Sequence, residues 1–253
     1  MTRIGTRGSA LAMAQARWVA DRVEAAELVV IETAGDRDRV SGRFDRIGDG
    51  RAVFTAEIER ALLDGRIDVA VHSAKDLTGD MPDGLEIAAV PQREDARDAC
   101  CGPFAALEDI PAGARIGTSS ARRAGLLAEL RPDLEVVPLR GNVDTRLRKL
   151  EAGDADAIVL AAAGLIRLGL EERIAFLFDP AAFVPEAGQG ALALQVRAGE
   201  ERLVAALDHP PSHEQLLAER ARVAELGGGC TVPVAAHAWH EEGELRMRTW
   251  TAA

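Results

Sequence analysis

The feature that most constrains the fold is a local design repeated along the chain: a short apolar stretch, a loop of Gly, Ser, Thr or Asn, and an amphipathic or Ala-rich helix. "TRIGT" leads through Arg7, Gly8 and Ser9 into "ALAMAQARWVADRVEAA", and "DVAVHSAKD" follows the helix "FTAEIERALLDG". "ARIGTSSARRAGLLAEL", "EVVPLRGNVDTRLRKLEAG" and "DAIVLAAAGLIRLGL" repeat the design. Strands alternating with helices predict an α/β fold with mostly parallel sheets. In such sheets ligands bind in the crevice outside the carboxyl ends of the strands. Arg7 and Ser9, Lys75 and Asp76, Ser119 to Arg123, and Arg140 to Arg146 each fall just after a predicted strand, so one rim is expected to gather them.

A chain of 253 residues is comfortable for two domains and a small third without covalent staples. Segments 90–98 and 179–194 read as loops framing the second group of repeats, which predicts two chain crossings between two lobes. After 208–215, a helix ending near Leu226 and the stretches "CTVPVAAHAWH" and "GELRMRTW" predict a helix and two strands. The expected division is residues 1–91 with 188–208 for the first lobe, 92–187 for the second and 209–253 for the third unit.

Cysteine usage fits a reducing compartment. Of three cysteines, Cys100 and Cys101 are adjacent, too close for an ordinary bridge, and are expected to fill a strand of the second lobe. The third, Cys230, stands behind three glycines in "LGGGCTVP", an open position for a thiol. The N-terminus lacks a signal-peptide layout, and no apolar stretch reaches membrane-spanning length. The expectation is a soluble cytoplasmic monomer with no membrane partner.

The formal charge of −11 argues against nonspecific nucleic-acid binding, which needs a broad basic surface. Between Arg115 and Leu150, however, eight cations stand against four anions. Such an island suits either a solvated helix face or a small anion held by arginine forks. Ser119 or Ser120 is a natural N-cap, which puts Arg122 and Arg123 in a first helical turn, where the macrodipole disfavours cations by roughly 0.3–1 kcal/mol each. Two outcomes are compatible with that placement: a bound carboxylate between the guanidiniums, or pairing with the protein's own acids. Lys75 is one of two lysines, with Lys149, among 30 basic residues. His72 reads as a packed or loop-facing histidine outside the site. His209 with His213, and His237 with His240, have metal-compatible spacing, but no carboxylate or thiol is evident beside them, so no metal is expected.

Six blocks in order, "RIGTRGSALAMAQA", "VAVHSAKDL", "IGTSSARRAGLLAELRPDLEVVPLRGNVDTRL", "AIVLAAAGLIRLGL", "EAGQGALAL" and "LGGGCTVPVAAHA", resemble the porphobilinogen deaminase (hydroxymethylbilane synthase) family over nearly the whole chain. The resemblance implies two periplasmic-binding-protein-like lobes with mostly parallel sheets and a small α+β third domain. It implies a transferase that condenses four porphobilinogen molecules head to tail, with loss of ammonia, to give hydroxymethylbilane in tetrapyrrole biosynthesis. Its primer is a dipyrromethane cofactor held by a thioether, by position on Cys230. Asp76 corresponds to the family's catalytic aspartate and Lys75 to the lysine before it. Arg7, Arg122, Arg123, Arg140, Arg146 and Arg167 match carboxylate-binding arginines, with Ser9 and Ser120 as supporting donors. The cofactor set is thereby Cys230, Lys75, Asp76, Ser120, Arg122, Arg123, Arg140 and Arg146; the substrate set is Arg7, Ser9, Arg167 and Phe54.

The chemistry agrees with these roles. Each pyrrole of the substrate carries an acetate and a propionate, so a growing chain needs many cationic forks, while departure of ammonia leaves positive charge that a fixed carboxylate stabilises. Phe54 matches a phenylalanine that stacks near the cofactor, in a loop one residue longer than the common pattern, with Arg51 where a lysine is usual. Only 23 residues follow Cys230, so the third domain is expected to be short relative to the family. Two rivals differ in class. A solute-binding module would close on a dicarboxylate without chemistry, and a cysteine-nucleophile hydrolase would need a histidine beside the thiol.

Overall fold

Two five-stranded sheets with one shared strand order organise the chain. A computed structural model describes residues 1–33, 52–77, 81–227 and 233–252, with the backbone alone for 52–54. The first sheet contains β1 (Thr2–Thr6), β2 (Ala26–Val30), β3 (Val69–Ser73), β4 (Leu85–Ala89) and β10 (Leu192–Arg197) in the order β2-β1-β3-β10-β4. The second contains β5 (Asp98–Cys101), β6 (Arg115–Gly117), β7 (Glu135–Val137), β8 (Ala157–Ala161) and β9 (Phe176–Leu177) in the order β7-β6-β8-β5-β9.

In each sheet one strand runs against the other four. β10 pairs antiparallel with β3 and β4, and β5 pairs antiparallel with β8 and β9, while the remaining pairs are parallel. Both reversed strands directly follow the chain's passages between sheets, at 90–97 and 178–191. The segment expected as loop at 179–194 thus ends in the first residues of β10, where "LALQVR" is buried on both faces and forms a central strand.

Helices cover both faces of each sheet. They are α1 (Ala10–Ala20), α2 (Ala52–Leu63), α3 (Ala121–Leu130), α4 (Val143–Glu151) and α5 (Ala162–Arg167). Alternation along β8 sends Ala157 and Val159 into a cluster with Ile116, Leu126 and Phe183, and Ile158 and Leu160 into one with Leu139, Leu147 and Leu165. Each fully buried aliphatic side chain contributes about 1.5–3 kcal/mol, so these clusters fix which strand ends share a rim. Cys100 and Cys101 fill β5 as expected; burial pushes their thiols up to about 12 and about 11, which leaves them unreactive.

The third unit is α6 (Pro210–Glu225), which opens on two prolines, and the hairpin of β11 (Val234–Glu241) and β12 (Glu244–Thr251). Its turn uses Glu242 and Gly243, both at positive φ, the conformation of a two-residue hairpin loop. Leu216 of α6 packs with Ala74, Leu77 and Val90, so this helix underlies the segment after β3. Trp250 of β12 lies against Gly125 of α3, where any side chain would collide with its ring, and donates to both oxygens of Glu129 at 2.9 and 3.0 Å. The third unit thereby touches both sheets' layers.

Candidate active site

Strand ends from both sheets, and one helix end, deliver charged side chains to a single cleft. Arg7 and Ser9 follow β1, Lys75 and Asp76 form a single 3-10 turn after β3, Arg123 and Arg146 lie in the first turns of α3 and α4, and Arg167 ends α5; all seven line the cleft. Ser9 and Ser120 are N-caps: the Ala12 amide donates to Ser9 Oγ at 3.3 Å and the Arg123 amide to Ser120 Oγ at 3.4 Å. Ser120 itself is not among the lining residues. Arg140 is exposed and also stands outside the lining, its carbonyl accepting from Lys149 Nζ at 3.3 Å. The neighbouring Gly141 and Asn142 do line it, and the Gly141 carbonyl holds Arg146 Nε at 2.8 Å.

Arg122 departs from the carboxylate-binding expectation. Its guanidinium does not reach the cleft but forms a bidentate pair with Asp98, at 2.8 and 3.0 Å, and donates to the Val184 carbonyl at 2.8 Å. Pairing with the protein's own acid, the second of the two outcomes, therefore describes Arg122. Arg123 shares the acid, donating from Nε to Asp98 Oδ1 at 2.8 Å, to the Val159 carbonyl at 2.9 Å and to Gln189 Oε1 at 3.4 Å. Asp98 is fully buried, which alone would raise its pKa; the charges of Arg122 and Arg123 outweigh burial and hold it at about 2.

The cleft's own cations feel their burial. Lys75 is lowered below the ordinary lysine value, first by desolvation and then by the Arg123 charge, with Glu186, Asp76 and Asp98 opposing. Arg167 is pushed down to about 10 by burial, against Glu94, and donates to the Gly190 carbonyl at 2.7 Å. His72 also forms part of the wall. It is buried, Nε2 lies 3.0 Å from Gln195 Oε1, and burial, with the Arg7 charge, drives it down to about 4, so it is neutral near pH 7.

The Lys75–Asp76 turn is held from below. Gly188 sits at φ +73° with its α-carbon so close that a β-carbon would come within 2.9 Å of Ala74 C and Lys75 N. The Gly188 amide donates to Glu219 Oε2 of α6 at 2.7 Å. Glu219 also accepts from Arg93 at 2.7 and 3.1 Å and from the Ala238 amide at 2.7 Å. One buried carboxylate thus ties both inter-sheet passages to the third unit. Asp98, Arg93 and Glu219 were not singled out in the sequence. Their signals were present: an acid opening the apolar "DACC", and an acid on the same buried helical face as Ser212 and Leu216.

Three of the four remaining histidines correct one expectation, since a carboxylate does stand beside each. His213 Nδ1 is 2.8 Å from Asp208, His240 Nε2 is 2.9 Å from Glu214 and His237 Nδ1 is 3.5 Å from Glu219. These are separate pairs, and among the described residues no group of three or more His, Cys, Asp or Glu is arranged for a metal ion. Cys230 lies outside the described residues, as do Arg51 and the side chain of Phe54, which belongs to α2.

A family model described as "Porphobilinogen deaminase, dipyromethane cofactor binding domain" matches residues 2–205, and one described as "Porphobilinogen deaminase, C-terminal domain" matches residues 214–252. The chain belongs to the porphobilinogen deaminase family. The porphobilinogen deaminase of Thermus thermophilus is 51% identical, with 96% of this chain and 82% of that protein covered. Those of Roseiflexus castenholzii and Deinococcus deserti are 49% and 45% identical, with 96% and 99% of this chain and 83% and 85% of theirs covered. A solved periplasmic substrate-binding protein from Coxiella burnetii aligns at 16% identity over 85% of this chain and 94% of its own, with a TM-score of 0.48. No helix among the described residues is long and apolar enough to cross a membrane.

Proposed function

We propose that this protein condenses four porphobilinogen molecules head to tail, releasing ammonia at each addition, to give hydroxymethylbilane, with Asp76 as the catalytic carboxylate and Cys230 as the anchor of a dipyrromethane primer. The observation that carries the reading is the cleft's composition: five cations, Arg7, Lys75, Arg123, Arg146 and Arg167, line it with two acids, Asp76 and Asp144, and Asp144 is 3.6 Å from Arg148 of its own helix. That donor set fits a ligand bearing two carboxylates per ring. The bound dipyrromethane supplies the pyrrole carbon to which the first substrate joins.

The chain's own residues do the rest. Arg7 and Ser9 with Arg167 bind the incoming substrate, and Lys75, Arg123 and Arg146 bind the primer and, in the same cleft, also face the carboxylates of the incoming ring that joins it, with Ser120 and Arg140 holding the loops that frame them. Phe54 stacks beside the rings, a role taken from the family. Asp76, in a turn fixed by Gly188 beneath it, faces the positive charge that develops as ammonia leaves and accepts the pyrrole N–H hydrogen bonds. A fixed carboxylate in a partly desolvated cleft is worth roughly 10²–10³ in rate. Neutral His72 adds no competing charge. The unit boundaries proposed are 1–91 with 188–208, 92–187 and 209–253, a division supported by the strands that share each sheet. The protein acts as a cytoplasmic monomer on a small-molecule substrate, without nucleic acid or metal.

The test is the intact mass of the purified protein and of Cys230→Ser. The expected result is an adduct of two deaminated porphobilinogen units on the first and none on the second. An unmodified, fully active wild type would overturn the assignment.

A further inference from the structure

Three charges meet at the start of β5 in an uneven arrangement. Asp98, fully buried, gives both oxygens to Arg122 and a single bond to Arg123. Arg122 is sealed in: it is buried, donates to the Val184 carbonyl, and lies with its guanidinium carbon 5.9 Å from the centre of the Phe183 ring. Arg123 alone of the three faces the cleft. It also touches the second inter-sheet passage through Gln189, and through Asp98 the strand that the first passage enters. The trio carries one surplus positive charge, and Arg123 is the member from which that charge can act on a ligand. Its reach is visible at Lys75, whose amine the Arg123 charge depresses more than the Asp98 carboxylate raises it.

We propose that Arg122 and Asp98 are positioning residues: Arg122 saturates the Asp98 carboxylate so that the charge of Arg123 stays available to a carboxylate bound in the cleft, while Asp98 and Gln189 fix the direction of the Arg123 fork. Without Arg122, Asp98 closes on Arg123 as a neutral pair and the cleft loses a cation that Arg123 still nominally provides. The inference rests on the reading of the cleft as a porphobilinogen site. It assigns Arg122 a role through its neighbour in place of ligand contact.

Charge and packing make opposite demands here, and this separates the two explanations. Arg122→Met leaves a balanced Asp98–Arg123 pair. Asp98→Asn with Arg122→Met restores the surplus charge on Arg123 but leaves that buried guanidinium without a counter-ion, which destabilises the fold. The experiment measures KM and kcat for porphobilinogen, and the thermal midpoint, for wild type, single and double variants as isolated with their covalent primer. The expected KM is about 10-fold higher in the single variant, the size of a lost charged contact, and within about threefold of wild type in the double. The expected midpoint falls from wild type to single to double. If KM instead rises in the same order as the midpoint falls, Arg122 acts by packing and the proposal is wrong. Should the double variant not fold, Arg122→Lys decides: a retained charge keeps KM near wild type although the midpoint drops, and a KM that rises with the drop overturns the proposal. Failure of the underlying reading is distinct, because wild type would then not consume porphobilinogen.

Discussion

The two sheets share a strand order and a reversed strand each, yet they contribute different chemistry to the cleft. The first supplies the turn of Lys75 and Asp76, and Arg7. The second supplies arginines on helix ends: Arg123, Arg146 and Arg167. A common scaffold therefore divides labour through the segments attached to its strand ends. On the first side a short turn packs closely over Gly188 and α6; on the second, long guanidinium side chains extend into the cleft from helices. A rigid carboxylate suits charge that appears only during reaction, and long forks suit carboxylates whose positions shift as a chain lengthens.

The largest expected effect lies on the first side. Asp76→Asn should lower kcat by about 10²–10³ with KM for porphobilinogen within about threefold of wild type, measured in steady state. A smaller effect, in a different parameter, is expected across the cleft: Arg146→Leu should raise KM about 10- to 100-fold, the loss of one or two charged hydrogen bonds, and leave kcat within about fivefold. If both variants changed the same parameter, the division between the sides would disappear.

Next in size is Gly188→Ala. The added carbon would press on the Ala74–Lys75 peptide at a positive φ, so stability should fall by about 1–3 kcal/mol in denaturant unfolding, with kcat falling alongside. Retained kcat in a destabilised variant would show that the turn is not held by this contact.

The smallest effect is a pH dependence. His72 titrates at about 4 in the fold, against about 6.5 for an unfolded histidine. The unfolded chain therefore takes up a proton below about 6.5 that the folded protein refuses until about 4, and stability declines through that window. His72→Gln should flatten the decline of the thermal midpoint between those pH values, and an unchanged slope would remove His72 as its cause.

Much of the cleft was legible in the sequence because parallel α/β sheets put strand ends on one rim. Arg7, Ser9, Lys75, Asp76, Arg123 and Arg146 could be brought together from that rule and the strand pattern alone. Arg167 came only with the family blocks, since it ends a helix and does not follow a strand directly. Arg122 and Arg123 were indistinguishable in sequence. Rotation about α3 separates them, turning one toward Phe183 and the other toward the cleft, and the acid they share, Asp98, lies 24 residues before Arg122. Glu219 was hidden for a related reason: a buried acid looks like a surface one until its four donors, from three parts of the chain, are in place.

The most direct measurement is the cycle of Asp76→Asn, Arg146→Leu and their double variant, read as kcat and KM for porphobilinogen. The division of labour predicts a kcat defect in the first, a KM defect in the second and both defects, undiminished, in the double. An Asp76→Asn enzyme turning over near the wild-type rate would contradict it.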